Sequence, residues 1–232
     1  MASLWPRLLG IGVALAVAAP GVARAGLING GFEAYAQAAD GYSDYTDTSQ
    51  AGWRTTEADH QIEVWGTGFN GVAAYQGSDF VEINANAVST LYQDVSGIPA
   101  GALLSFAFAH RGRLGVDTMR LVLTDLGKSG VYGASDNTVL YSGTYSDGNT
   151  AWGSYSSTGL AAITSLGDVV RMSFVSVSAA GGNDSIGNFV DDASLSAVAT
   201  RQDASVVAEP GSMLLLGCAL AGLGLAWRRR AA

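Results

Sequence analysis

Between residues 26 and 207 the apolar residues recur at every second position, in short runs, and nowhere at the spacing of an amphipathic helix. This pattern restricts the fold more than any other feature, because a period of two buries one face of a β-strand whereas a period of 3.6 buries one face of a helix. The clearest run is 103–110, where Leu104, Phe106, Phe108 and His110 share one face and Leu103, Ser105, Ala107 and Ala109 the other. Residues 79–84 and 89–95 are similar runs, rich in β-branched and aromatic side chains. Strands are also predicted at 62–65, 119–124, 139–145, 152–157, 169–178 and 189–198. The separators are clusters of Gly, Asn, Asp and Ser, such as 146–149 and 180–184. Many short strands with such turns predict an all-β fold, an antiparallel sandwich or barrel. Residues 36–50, mostly Ala, Asp, Tyr, Ser and Thr, read as a long loop.

The two ends read as addresses rather than as fold. Arg7 precedes an apolar run at 8–20, which is followed by Ala23-Arg24-Ala25, the three-part pattern of a secretory signal peptide cut after Ala25. The run is too short for a bilayer span, which takes about 20 residues. At the other end, Glu209, Pro210 and Gly211 open an apolar run at 212–227 that closes on Arg228, Arg229 and Arg230. The arginines would stay cytoplasmic, which places the preceding domain outside. Cys218, the one cysteine, lies in this run as a small apolar residue, so no disulfide framework is available. The expected organisation is a signal peptide at 1–25, a β-sandwich at 26–199, a linker at 200–209 and a hydrophobic helix with its arginine cluster at 210–232.

The tail resembles the PEP-CTERM sorting signals of Gram-negative bacteria that make exopolysaccharide, with Ala208 where that family has its first Pro. The resemblance implies processing by an exosortase-type enzyme. It also implies a transient tether to the inner membrane, and a cell-surface or extracellular-matrix destination among exopolysaccharide.

Residues 26–207 carry seven basic side chains against nineteen acidic ones, a net charge of −12. A nucleic-acid binder needs a basic stripe, so that class is excluded. Cations are favoured, and anionic partners are disfavoured unless they bind locally or through calcium.

The domain opens with Leu27-Ile-Asn-Gly-Gly-Phe-Glu33 and closes with Gly187-Asn-Phe-Val-Asp-Asp-Ala-Ser-Leu-Ser-Ala-Val198. This pairing resembles the galactose-binding-like jelly rolls, which include many carbohydrate-binding modules and in which an early Asn-Gly-x-Phe-Glu strand lies near a final Val-Asp-Asp strand. The resemblance implies a structural calcium ion on Glu33 and Asp191, with Asp192 the alternate. Neighbouring strand residues face opposite ways, so the two Asp side chains do not both reach one ion. The segments around Trp53, Trp65 and His110 resemble a recurring module of secreted bacterial surface proteins.

A sugar site needs aromatic platforms beside planar hydrogen-bonding groups. Trp53, Trp65, Tyr75, Tyr92 and Trp152 supply the former, and Glu63, Glu82, Asn84, Gln93, Arg111 and Arg113 the latter. Alternation sets Glu63 and Trp65 opposite Ile62 and Val64, and Glu82 and Asn84 opposite Val81 and Ile83, so one sheet face is expected to be polar with a Trp on it. Catalysis has little support. No Gly-x-Ser-x-Gly elbow presents a nucleophile to His110 and Asp117, and the one pair of carboxylates that could converge is Glu63 and Glu82. The chain therefore reads as a non-catalytic glycan- or matrix-binding sandwich. The alternatives are a structural envelope or biofilm protein without a saccharide site, and a secreted hydrolase.

Overall fold

The computed structural model describes residues 25–48 and 52–199. All but the last residue of the expected signal peptide, the linker and the sorting tail with Glu209 to Arg230 lie outside the described residues. Among those described, no helix is long and apolar enough to cross a membrane.

Twelve strands are described. In chain order they are β1 (Tyr42–Thr46), β2 (Arg54–Thr55), β3 (Gln61–Gly66), β4 (Asp79–Glu82), β5 (Thr90–Ile98) and β6 (Leu103–Arg111), followed by β7 (Asp117–Asp125), β8 (Thr138–Asp147), β9 (Gly153–Ser156), β10 (Ile163–Thr164), β11 (Asp168–Ser178) and β12 (Phe189–Val198). The larger sheet runs β1-β3-β4-β12-β6, with β9 and β10 side by side on the far edge of β6. The smaller runs β2-β5-β11-β7-β8. Every pairing between named strands is antiparallel. From β4 to β7 successive strands cross from one sheet to the other, the winding of a jelly-roll sandwich.

Alternation decides which side chains fill the space between the sheets. Leu104, Phe106 and Phe108 from β6 point inward as expected, and meet Leu91 and Val95 of β5, Leu121 and Leu123 of β7, and Met172 and Phe174 of β11. Phe106 packs against Phe108 and Tyr141, with ring centroids 6.1 and 5.0 Å away. Trp53 is fully buried between Phe32 and Phe174, and its indole N–H donates to the Asn29 carbonyl. It is therefore a core residue and not a platform for a ligand.

Residues 36–50 are not wholly loop, because β1 lies within them. It sits at the sheet edge with one hydrogen-bonded neighbour, β3, and buries neither face fully, so its side chains need no apolar alternation. The opening motif does approach the final strand, as the resemblance implies, but as a turn. Gly26 bridges Ser196, the Ala193 N–H donates to the Gly30 carbonyl (2.9 Å), and a 3-10 turn follows at Glu33–Tyr35. A Cβ on Gly30 would lie 1.9 Å from the Ala193 oxygen, so only glycine allows this approach.

Candidate functional site

Trp65, Glu63 and Glu82, expected to bind a sugar, stand on the outer face of the larger sheet and are covered. Trp65 is 1% exposed. It packs on Phe69, Phe80 and Phe189, with centroids 4.6, 5.9 and 4.7 Å away, in a second small core outside the sheet. Alternation correctly sets Trp65 outward, but the segment between β3 and β4, which includes Phe69, folds back over it.

Glu63 and Glu82 face each other across β3 and β4. The Trp65 indole N–H donates to Glu63 Oε1 (2.5 Å), while Arg113 Nη1 donates to both oxygens of Glu82 (2.8 and 3.0 Å) and the Gly187 N–H donates to its Oε1 (2.6 Å). The Arg113 guanidinium lies 4.8 Å from the Trp65 ring centroid. Burial, reinforced at Glu82 by the neighbouring Glu63, raises both carboxyls above the ordinary range even with Arg113 beside them. The two carboxylates thus face each other across one strand pair. The Glu82 side chain, however, has no exposed surface and is held by Arg113 and a backbone amide.

The other candidates also have structural partners. Asn84 is buried and donates to the Asp184 carbonyl. Gln93 is buried because β5 alternation turns it inward, where its amide both accepts from the Ile28 N–H (2.6 Å) and donates to the Ile28 carbonyl (2.9 Å). Arg111 is half-buried and donates to the Asn149 carbonyl, and burial lowers its pKa. Trp65, Glu82, Asn84 and Gln93 are therefore almost wholly covered. Glu63, Trp65 and Arg113 still line a pocket of about 340 Å³ beside Tyr42 and Asn86. His110 is fully buried, with Nδ1 2.7 Å from Asp147 Oδ2 and Nε2 3.0 Å from Asn188 Oδ1. It joins β6, β8 and the start of β12 rather than facing a substrate.

Glu33 and Asp191 grip one loop. Asp191 Oδ2 accepts from the backbone N–H groups of Tyr75 and Gln76 (2.8 and 3.0 Å), and Glu33 Oε1 from those of Ser78 and Asp79 (2.8 and 3.0 Å). Burial pushes the Asp191 carboxyl up to about 7, against the pull of its amide bonds. Asp192 lies at the bulge of β12 with a left-handed backbone, and its N–H donates to Asp191 Oδ1. Asp79 stands beside Glu33 with its Oδ1 buried and without a hydrogen-bond partner. No group of three or more His, Cys, Asp or Glu side chains among the described residues is placed to hold a metal ion. Glu33 and the orphaned Asp79 oxygen are nevertheless hard donors of the kind calcium takes.

The broad concave surface is on the other sheet. The outward residues of its strands fall into rows set by register: Asp94–Arg171–Thr124–Val139, then Tyr92–Ser173–Val122–Ser142, then Thr90–Val175–Arg120–Thr144. All of these residues except Asp94 and Thr144 floor an open groove of about 510 Å³. One wall is the segment between β7 and β8, which brings Tyr132, Gly133 and Asn137 over the strands. Asn137 fastens that wall by donating to the Leu126 and Val131 carbonyls and accepting from the Gly133 N–H. Arg171 makes a two-pronged contact with Asp94 (2.6 and 2.8 Å) and lies between two rings, 3.8 Å from the centroid of Tyr92 and 4.5 Å from that of Tyr132. This stack ties the wall to the floor. Tyr92 is an expected aromatic. Tyr132, Arg120 and Arg171 were not expected, and arrive from segments distant in sequence.

No protein-family model matches this chain, and no curated protein does. Solved structures with a similar backbone include a family 61 carbohydrate-binding module in complex with β-1,4-galactotriose, at 21% identity over 73% of this chain and 95% of that one, with a TM-score of 0.42. The C-terminal family 22 module of Clostridium thermocellum Xyn10B is 18% identical over 70% and 98% of the two chains, with a TM-score of 0.42. The second family 22 module, a xylan-binding domain, of Paenibacillus barcinonensis Xyn10C is 14% identical over 69% and 100%, with a TM-score of 0.44. At these values no residue of this chain is matched to a ligand contact in theirs.

Proposed function

We propose that the sandwich is a non-catalytic polysaccharide-binding domain that takes a glycan chain in the groove across its smaller sheet. One observation carries this reading: the groove sets exposed tyrosine and arginine side chains, Tyr132 and Arg120, among neutral hydroxyls and an amide on a floor of hydrogen-bonded strands. Binding on such a surface takes little reorganisation, which favours affinity. The reading includes export by the signal segment, sorting through the tail and residence among exopolysaccharide.

Affinity electrophoresis of the purified protein in gels containing soluble polysaccharides tests it. Retardation is expected in at least one gel. Tyr132→Ala should weaken it by roughly thirtyfold, as loss of an anchoring aromatic of about 2 kcal/mol does. Tyr132 is 59% exposed, so its loss should leave the melting temperature nearly unchanged. Mobility unaffected by any glycan would instead leave a structural envelope protein.

Calcium belongs to the proposal as a staple. Glu33 and Asp79 Oδ1 would hold the ion beside the loop that Glu33 and Asp191 already grip. Binding to the folded state alone stabilises by about 2.7 kcal/mol when the ion is at 100 times its Kd. Millimolar calcium should then raise the melting temperature relative to EDTA, and Glu33→Gln should abolish the difference. Identical curves in calcium and EDTA would mean that the backbone amides alone satisfy these carboxylates.

A further inference from the structure

We infer that the glycan taken by the groove is acidic, a chain whose sugar residues carry carboxylates that meet Arg120. This inference rests on the polysaccharide reading of the same groove and names its substrate class.

The first ground is the distribution of charge. Residues 26–207 hold nineteen acidic and seven basic side chains, yet the described residues that line the groove include two arginines and no Asp or Glu. Asp94, the carboxylate in the Arg171 row, is engaged by Arg171 through both oxygens. An acidic chain would be repelled by most of this domain, and here it meets a local surface of the opposite sign.

The second ground is the state of Arg120 itself. The other described arginines are all engaged: Arg54 with the Asp47 and Trp53 carbonyls, Arg111 with the Asn149 carbonyl, Arg113 with Glu82 and Arg171 with Asp94. Arg120 is exposed and makes no salt bridge or side-chain hydrogen bond with any described residue. Its row contains Thr90, Val175 and Thr144, and the next row Tyr92, Ser173, Val122 and Ser142, so no neighbour in either row carries a compensating charge. A guanidinium presents paired N–H donors in a planar fork, which matches a carboxylate. The rows lie about 6.6 Å apart at 3.3 Å per residue. Arg120 thus reads the charged substituent of one sugar residue while the tyrosine-walled end of the groove receives the next.

The test is affinity electrophoresis of the purified protein in polygalacturonate and in alginate, each against the same polymer with its carboxyls reduced to alcohols. Dextran sulfate, xylan and galactan serve as further arms. The acidic forms should bind about tenfold more tightly than their reduced counterparts. Arg120→Gln should bring the ratio of acidic-form to reduced-form affinity down to about one, and Arg120→Lys should keep part of that ratio. Melting curves of both variants confirm that each is folded. Equal or better binding of reduced or neutral polymers overturns the acidic class and leaves the polysaccharide reading standing, whereas an Arg120→Gln variant that still prefers the acidic forms overturns the assignment of the carboxylate contact to Arg120. Dextran sulfate bound as well as the uronates overturns it too, because the groove would then be a general polyanion surface. Binding to none of the polymers overturns both.

Discussion

Phe106→Ala should destabilise the domain by about 3–5 kcal/mol, the usual range for truncating a buried Phe. The ring sits between Phe108 and Tyr141 in the space between the sheets, where partial collapse cannot fill the void because each neighbour is held in its own strand. Leu103, three residues earlier on the same strand, is 40% exposed, and Leu103→Ala should change stability by no more than about 0.5 kcal/mol. Urea unfolding of the two variants, with the slopes compared to confirm two-state behaviour, measures both. Similar losses at the two positions would mean that β6 does not alternate between core and solvent.

Arg113→Met should have an effect of the same size that depends on pH. Arg113 is the cation between a strand pair of facing carboxylates, and removing it leaves Glu63 and Glu82 buried against each other. Breaking a buried pair in this way typically costs about 3–5 kcal/mol. Both carboxyls are raised by burial, so between the ordinary carboxylate range and those raised values the folded protein holds a proton that the unfolded chain has released. The contribution of the pair is therefore fully present below about pH 4.5 and is lost as pH rises through the folded values. Arg113→Met should deepen that loss, with a small effect at pH 5, a larger effect near pH 9 where Glu82 gives up its proton, and recovery when Glu63→Gln is added. An equal loss at both pH values would mean that Arg113 acts through its aliphatic stem and its stacking on Trp65.

The strands of the core were legible because burial on one face forces alternation, as in residues 103–110, 119–124 and 169–178. β1, β2 and β10 were not. β1 is an edge strand with neither face fully buried, and β2 and β10 are two residues long, so none of them carries a pattern. The site was legible only in part, for two different reasons. Tyr92 was named beside Gln93, and adjacent strand residues cannot share a face, so alternation alone could have separated them. Trp65 passes that test and still fails as a platform, because what covers it is the path of a loop. Arg120 and Arg171 stand in one groove through the register of β7 on β11, and no local pattern in either segment announces it. The Glu33 and Asp191 motifs do mark where the chain ends meet one loop, but the partners seen there are backbone amides.

The alternation of the smaller sheet also separates two selective pressures. On β5, β7 and β11, Leu91, Leu121 and Phe174 answer only to the core, while Tyr92, Arg120 and Arg171 answer only to the groove. Substitutions in the second set leave the first untouched, so under the proposed reading a lineage could exchange one ligand for another by changing outward positions alone, without passing through unfolded intermediates. A one-residue slip of β5 against β11 would do the opposite. It would turn Leu91, Gln93 and Val95 of β5 outward and Tyr92 inward, and so damage the core and the groove together. Recognition in such a domain can drift rapidly across a scaffold whose strand pairing barely changes.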